Sequence, residues 1–188
     1  MSKALVVRYN TWYQGIVNMR NYYESYVEQQ ALKLATSLFP DFYCIPCKFS
    51  FGHATAKNRE ADIILVSKKF NKWVIIEVEL STKKSLKHTF DQLEVFTSPI
   101  FTSGALANDL IRKNKNLLLY KSQLINLFTN KAPEVTVLLD HLNEKVKNKI
   151  ISRFPIVSVC ALEIYKEFDG DYNMYLVKGE YPHLTISW

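Results

Sequence analysis

Apolar and polar positions repeat along the chain with spacings that predict both helices and strands. Apolar residues three or four positions apart predict helices, and short runs rich in β-branched residues predict strands. The predicted helices are Arg20–Leu38, Leu86–Phe96, Ser122–Phe128 and Asn143–Phe154. The predicted strands are Phe42–Phe51, Asp62–Lys68, Trp73–Leu80, Val135–Asp140, Ile156–Ile164 and Tyr172–Val177. This order predicts an α/β fold whose central mixed β-sheet is flanked by helices on both faces.

Short connections predict how some of these strands pair. The four-residue sequence KFNK joins the strands that begin at Asp62 and Trp73, which indicates an antiparallel hairpin. The last two strands are joined by a turn at Asp169-Gly170. A length of 188 residues favours a single domain, residues 1–188, with its core in 20–164. The strands of 165–188 could extend the sheet or form a dimer contact.

Composition narrows the class of protein. Lys and Arg total 24 against 18 Asp and Glu, and the net charge of +6 suits a polyanionic partner such as nucleic acid. No apolar run reaches the roughly 18 residues of a membrane span, and the first residues do not resemble a secretion signal. Three cysteines, an odd number, agree with a reducing compartment. We therefore expect a cytoplasmic protein that does not bind membranes.

Several catalytic motifs are missing, and one apparent motif has an ordinary explanation. The sequence has no Gly-rich phosphate loop and no G-x-S-x-G elbow, which argues against nucleotide-binding α/β folds and serine hydrolases. Cys44 and Cys47 form a C-x-x-C pair. Residues three apart on a strand point to opposite faces, so two half-buried thiols are favoured over a redox or zinc site.

Three acidic residues occupy positions that normally belong to the core. Glu77 and Glu79 interrupt the apolar strand WVIIEVEL, and Asp62 opens the strand before it. A strand repeat of two places Glu77 and Glu79 on one face, and the hairpin brings Asp62 near them. Converging carboxylates repel one another unless a cation compensates them, and Mg²⁺ or Mn²⁺ suits an all-oxygen site. The alternative is an edge strand whose open face carries Glu–Lys pairs.

These residues resemble the motif of the PD-(D/E)xK nuclease superfamily, which has the restriction-endonuclease-like fold. In that family a helix with an acidic residue precedes a hairpin that carries Asp and, ten to twenty residues later, (D/E)-x-K. Here Glu77 follows Asp62 by 15 positions, and the similarity extends from about Tyr23 to Asp140. The resemblance implies that Asp62 and Glu77 bind the metal, with the Val78 carbonyl as a candidate third ligand. It implies Glu28 as the helix acid, with Glu24 second.

The motif lysine is replaced by Glu79, as in some restriction enzymes of this superfamily. A carboxylate at this position could bind a metal or position water, but it supplies no positive charge. Lys83, Lys84 or Lys87, just beyond the strand, could supply that charge instead.

The next helix resembles the Q-x-x-x-Y signature of the recombination-nuclease branch, with Phe96 in place of Tyr. The resemblance implies that Gln92 orients substrate or water at the scissile phosphate, and the alternative is an exposed Gln on an amphipathic helix. His53 could be a site residue, although an ordinary turn or strand histidine is favoured.

The resemblance implies a metal-dependent nuclease, with Asp62, Glu77, Glu79 and Glu28 around Mg²⁺ or Mn²⁺ and with Gln92 and Lys83 as catalytic residues. DNA is the expected substrate, held at its phosphates by Lys83, Lys84, Lys87 and the basic helix with Lys145, Lys147, Lys149 and Arg153. A mobile-element or defence role is typical of small stand-alone members, and cutting both strands favours a homodimer. One alternative is a catalytically inactive module on the same fold that binds nucleic acid or protein. Another is a hydrolase of small phosphoesters.

Overall fold

The computed structural model describes residues 5–8, 11–16, 23–82, 86–167 and 173–182. The helices are α1 (Glu24–Lys33), α2 (Ala35–Leu38), α3 (Lys87–Phe96), α4 (Ser103–Lys113), a 3₁₀ helix (Lys115–Tyr120), α5 (Lys121–Asn130) and α6 (Glu144–Arg153). The strands are β1 (Leu5–Arg8), β2 (Thr11–Gly15), β3 (Phe42–Pro46), β4 (Ser50–Phe51), β5 (Arg59–Glu60), β6 (Ile63–Ser67), β7 (Trp73–Glu79), β8 (Glu134–Leu139), β9 (Val157–Glu167) and β10 (Asn173–Gly179).

Eight strands of the described part of the chain form one mixed sheet. Its order is β1-β2-β9-β8-β7-β6-β3, and β10 pairs with β9 beside this path. The β6–β7 pair is antiparallel, whereas β7 pairs with β8 and β8 pairs with β9 in parallel. The short strands β4 and β5 pair with each other in a separate two-stranded sheet. The predicted hairpin and the predicted mixed α/β sheet are both confirmed.

The two faces of the sheet support two separate apolar clusters. Along β7, Trp73 and Ile75 pack with apolar residues of α3, α4, α5 and α6. The intervening Val74, Ile76 and Val78 pack on the other face with residues of α1 and α2. Helices therefore flank the sheet on both sides, as the continuous apolar strands predict.

Two predicted elements are divided in the structure. The predicted strand over residues 42–51 is wrong as a single unit, because β3 ends at Pro46 and β4 belongs to the other sheet. The backbone N–H of Cys47 instead donates to the carbonyl of Asp62 at 2.7 Å. The predicted first helix breaks at Leu34 into α1 and α2. The apolar pattern did not predict the β1–β2 hairpin, β5, α4 or the 3₁₀ helix.

The C-terminal segment extends the sheet. Strand β10 runs antiparallel along β9, from Asn173 opposite Lys166 to Gly179 opposite Cys160. The predicted turn at Asp169-Gly170 lies outside the described residues. Within the described part of the chain, no helix has the length and apolar character needed to cross a membrane.

Candidate functional site

The β6–β7 hairpin positions the first two predicted site residues. Ile63 lies opposite Ile76, so the same register continued by one residue places Asp62 opposite Glu77. The backbone N–H of Val78 donates to Asp62 Oδ2 at 2.9 Å. This bond fixes one side of the Asp62 carboxylate against the strand that carries Glu77.

Glu77 and Glu79 lie in a central strand and face α3. Both are buried, and β7 has β6 on one side and β8 on the other, so the alternative of an edge strand with exposed Glu–Lys pairs is wrong. Gln92 Nε2 donates to Glu77 Oε1, and the Thr89 hydroxyl donates to Glu79 Oε2. The backbone N–H of Leu80 donates to Glu79 Oε1 at 2.8 Å. The alternative of a solvent-exposed Gln92 is also wrong, since its side chain is buried.

Glu77 is a buried acid with incomplete compensation. Its side chain is 4% exposed, and Oε2 is buried without a hydrogen-bond partner among the described residues. Burial raises the pKa of Glu77 well above its usual value, and the charges of Asp62 and Glu79 raise it further. The hydrogen bond from Gln92 opposes this increase only in part. Glu77 must therefore take up a proton or acquire a nearby cation.

Within the described residues, Lys48 brings a positive charge to this site, and the sequence pattern did not predict it. Its Nζ lies 2.8 Å from Asp62 Oδ1 and 3.7 Å from Glu28 Oε2. Partial burial lowers the pKa of Lys48, but the hydrogen bond to Asp62 and the charges of Asp62, Glu28 and Glu77 outweigh it and raise the pKa. The signal in the sequence was a single charged residue within the apolar stretch FYCIPCKFSF.

Both candidate acids of the first helix face this cluster. Glu28 is half-buried, and burial together with the Asp62 charge raises its pKa, whereas Lys48 opposes that rise. Glu24, one turn earlier, is near enough for its charge to raise the pKa of Glu77. The structure brings Glu24, Glu28, Asp62 and Glu77 to one region from three separate segments of the chain.

The predicted basic residues are spread more widely. Lys83 and Lys84 lie outside the described residues, and Lys87 is exposed at the start of α3. Lys145 and Lys149 are exposed on α6, which follows β8 and therefore begins at the carboxyl edge of the parallel strands. Within the described ranges, the ion pairs given for Asp62 and Glu28 are both with Lys48.

The remaining candidates have local surroundings that explain them. His53 follows β4, and its Nδ1 accepts from the Thr55 backbone N–H at 3.3 Å. Cys44 and Cys47 are free thiols that pack against opposite apolar clusters. Burial raises the pKa of Cys44 to about 12 and that of Cys47 to about 11, so both are protonated at neutral pH.

The carboxylates converge without forming a closed ligand set. Over the described ranges, no three His, Cys, Asp or Glu side chains are grouped so that they could hold a metal ion. Lys48 lies between two of the acids, and Glu77 keeps one oxygen without a donor. That oxygen is the atom in this cluster that suits a hard divalent cation. Comparison with protein-family models, with curated proteins and with solved structures found no match.

Proposed function

We propose that this protein is a metal-dependent nuclease that hydrolyses phosphodiester bonds in DNA and has a restriction-endonuclease-like core. The observation that carries the proposal is the pairing of Asp62 with Glu77 across an antiparallel hairpin, with one buried Glu77 oxygen lacking a donor. A purely structural acid in a central strand would be expected to have both oxygens hydrogen-bonded. Strand β8 runs parallel to β7, and helix α1 brings Glu24 and Glu28 towards the hairpin. Both features are expected for the core of that fold.

The acids would hold Mg²⁺ or Mn²⁺, with Asp62 and Glu77 as the principal ligands and Glu79 and Glu28 close by. A bound ion would neutralise the carboxylates, polarise the phosphodiester and lower the pKa of a water molecule. Gln92 holds Glu77 in position by donating from its side-chain amide, and Thr89 holds Glu79 by donating from its hydroxyl. These two contacts make α3 the element that orients the acidic strand.

Lys48 supplies the positive charge that the motif loses at Glu79. Its ammonium group is hydrogen-bonded to Asp62 at 2.8 Å, yet its side chain is 57% exposed and therefore accessible to a phosphate group. Lys87, Lys145 and Lys149 lie on α3 and α6, which pack against the same face of the sheet. They would contact backbone phosphates, which provide affinity without sequence specificity.

Cleavage assays with supercoiled, linear and single-stranded DNA test the proposal. Wild type should cut at least one substrate with Mg²⁺ or Mn²⁺, and Asp62→Ala and Glu77→Ala should each lower the rate by about a thousandfold or more, because a metal ligand is lost. Glu60→Ala, which removes an exposed acid on β5, should keep the wild-type rate. Cutting that survives both site substitutions would refute the proposal.

A second candidate is a catalytically inactive module that binds nucleic acid. The observation in its favour is that Lys48 already pairs with Asp62 and Glu28, while Glu79 replaces the motif lysine. In such a module, wild type would not cut under any metal condition, and Asp62→Ala would leave affinity unchanged or tighter because a negative charge is removed. The same variant therefore separates the two functions.

A further inference from the structure

A second buried acid, Glu163 on β9, organises a separate polar cluster. Its side chain is 3% exposed and accepts from Lys178 Nζ at 2.9 Å and from the Tyr165 hydroxyl at 2.9 Å. His141 Nδ1 lies 2.7 Å from Glu163 Oε1, and the backbone N–H of Leu142 donates to the same oxygen at 3.3 Å. Burial opposes ionisation, but these hydrogen bonds and the His141 charge lower the pKa of Glu163 below its usual value. The cluster is therefore built around a carboxylate.

An ionised Glu163 determines which nitrogen of His141 carries hydrogen. A carboxylate only accepts hydrogen bonds, so Nδ1 of His141 must be the donor. The other nitrogen, Nε2, is left for a second partner, and the His141 side chain is 47% exposed. A buried carboxylate that orients an accessible imidazole in this way is the arrangement found behind functional histidines. A purely structural role of Glu163 would need only Lys178 and Tyr165 as its partners. The exposed His141 imidazole is not needed for that role, so it indicates a function beyond stabilising the sheet.

The dyad lies on the same side of the sheet as Glu77 and Glu79. Side chains two residues apart on a strand point to the same face, so Glu163 shares a face of β9 with Val159 and Ala161. Those two residues belong to the apolar cluster that includes residues of α3 and α6. Glu77 pairs with Val137 in β8, and His141 comes four residues later, two residues past the end of β8. The dyad therefore lies just beyond the carboxyl end of the strand that pairs with Glu77.

Among the described residues, part of one edge of β9 has no strand partner. Strand β8 pairs with β9 as far as Ala161, and β2 pairs with β9 from Tyr165 onward. Strand β10 pairs with residues 160–166 of β9 and so occupies one edge of β9 over this range. Strands β8 and β2 must therefore both pair with the other edge, and residues 162–164 lie between them on that edge. Among the described residues, that stretch has no strand partner on this edge, and the His141–Leu142 segment contacts Glu163 there.

We propose that His141 and Glu163 form a phosphate-binding dyad, in which the His141 imidazolium donates from Nε2 to a backbone phosphate of the nucleic-acid substrate. This inference rests on the proposed function. Lys178 faces the dyad from β10, and Lys145, in the first turn of α6, adds a second cation near this end of the sheet. The net charge of the imidazolium, Glu163 and Lys178 is positive, which suits a phosphate anion.

The charged groups around His141 are Glu163 from β9, the nearby Asp140 and Lys178 from β10, whereas Tyr165 is neutral. Because Nδ1 donates to Glu163, Nε2 carries hydrogen only in the imidazolium, so the phosphate contact requires protonated His141. A structural role of Glu163 alone would not make binding depend on His141 protonation.

Fluorescence anisotropy with a labelled 24-base-pair duplex in Ca²⁺ tests this proposal at pH 6 and pH 8. His141→Asn should weaken binding about tenfold at pH 6 and by no more than that at pH 8, because one charge-assisted contact is lost. Glu163→Gln should also weaken binding, because it removes the carboxylate that holds His141 Nδ1 as a donor. His88→Asn, which removes an exposed imidazole of α3, is the matched control and should retain the pH dependence.

The outcomes distinguish this inference from the proposed nuclease. Equal affinity of folded His141→Asn and wild type at both pH values would overturn the dyad, even if Asp62-dependent cleavage is observed. A pH-dependent loss of binding in a protein that never cuts would support the dyad while refuting the nuclease. If wild type binds neither duplex nor single-stranded nucleic acid, both proposals fail.

Discussion

Glu77 and Glu163 are both buried acids on the same side of one sheet, yet their surroundings have opposite effects. Glu163 receives hydrogen bonds from Lys178, Tyr165 and Leu142 and pairs with His141, and its pKa is lowered. Glu77 receives one side-chain hydrogen bond, faces other acids, and has a raised pKa. Burial is the first cause in both cases, so the donors and neighbouring charges decide the direction.

The contrast between Glu163 and Glu77 shows that a buried carboxylate can either stabilise or destabilise the fold, depending on its hydrogen-bond donors. A fully hydrogen-bonded acid such as Glu163 holds its neighbours in position and contributes to stability. An acid such as Glu77, with one oxygen that lacks a donor among the described residues, reduces stability unless a proton or a cation compensates it. In the proposed nuclease, a bound cation would provide this compensation.

The largest expected effect on stability is that of Glu163→Gln. We expect the free energy of unfolding at pH 7 to fall by about 2 to 3 kcal/mol, because Lys178 and His141 lose a buried anion but remain partly solvated. A lowered pKa gives stability that is present above the unfolded pKa of about 4.3 and is lost as pH falls through the folded pKa. The deficit should therefore shrink below pH 4 in urea titrations.

Glu60→Gln is the control for that measurement, since Glu60 is exposed. It should change the free energy of unfolding by less than about 0.5 kcal/mol. A similar small change for Glu163→Gln would mean that its hydrogen bonds do not stabilise the fold, and the contrast with Glu77 would disappear.

Glu77→Gln is expected to raise the free energy of unfolding, by less than Glu163→Gln lowers it. A raised pKa costs stability as pH increases above the unfolded value of about 4.3, so the variant should be more stable than wild type by about 1 to 2 kcal/mol at pH 7 without divalent cations. The difference should vanish near pH 4. Thermal unfolding followed across this pH range measures it.

Added Mg²⁺ should make wild type more stable than Glu77→Gln, the reverse of their order without divalent cations. At 100 times the dissociation constant, a ligand of the folded state stabilises by about 2.7 kcal/mol, and only wild type should gain this. If Mg²⁺ stabilises both proteins equally, Glu77 is not a ligand. If it stabilises neither protein at millimolar concentrations, the metal site itself is refuted.

The smallest effect on stability is expected for Lys48→Met. Because Lys48 is largely exposed, its ion pairs should contribute less than about 1 kcal/mol to the free energy of unfolding. Its removal also takes a competing cation from Asp62, so Mg²⁺ should bind several-fold more tightly in calorimetric titrations. Cleavage should nevertheless become slower, since the charge that replaces the motif lysine is lost.

Lys57→Met, which removes an exposed lysine of the β4–β5 loop, is the matched control for Lys48. Unchanged cleavage in Lys48→Met would show that this ammonium has no part in the reaction. It would leave Lys87 as the predicted source of positive charge within the described residues.

The hairpin and its acids could be predicted because their signals are local. An apolar run interrupted by Glu77 and Glu79, a four-residue connection and a strand repeat of two were sufficient to place three carboxylates together. The same signal exists in VSVCALEIY, where Glu163 is the single charged residue, although Glu163 was not among the predicted site residues. Likewise, Leu106, Ala107, Leu110 and Ile111 have helical spacing, and α4 was missed although its signal is in the sequence.

Long-range contacts account for what could not be predicted. Lys48 reaches Asp62 across 14 residues and only because β3 ends at Pro46, and His141 reaches Glu163 across 22 residues. The β1–β2 hairpin joins the sheet through β9, far along the chain. No local period predicts such contacts, because they depend on which strands become neighbours.

The amino-acid sequence by itself determined the central hairpin, the strand β8 and helix α3 beside it, and the place of Glu77 and Glu79 in the core, since periodicity and apolar character act over a few residues. Only the tertiary structure decided which acid is compensated. The cation or donor that each carboxylate meets comes from a distant segment, and electrostatic interactions in a buried site depend on distances that folding alone establishes.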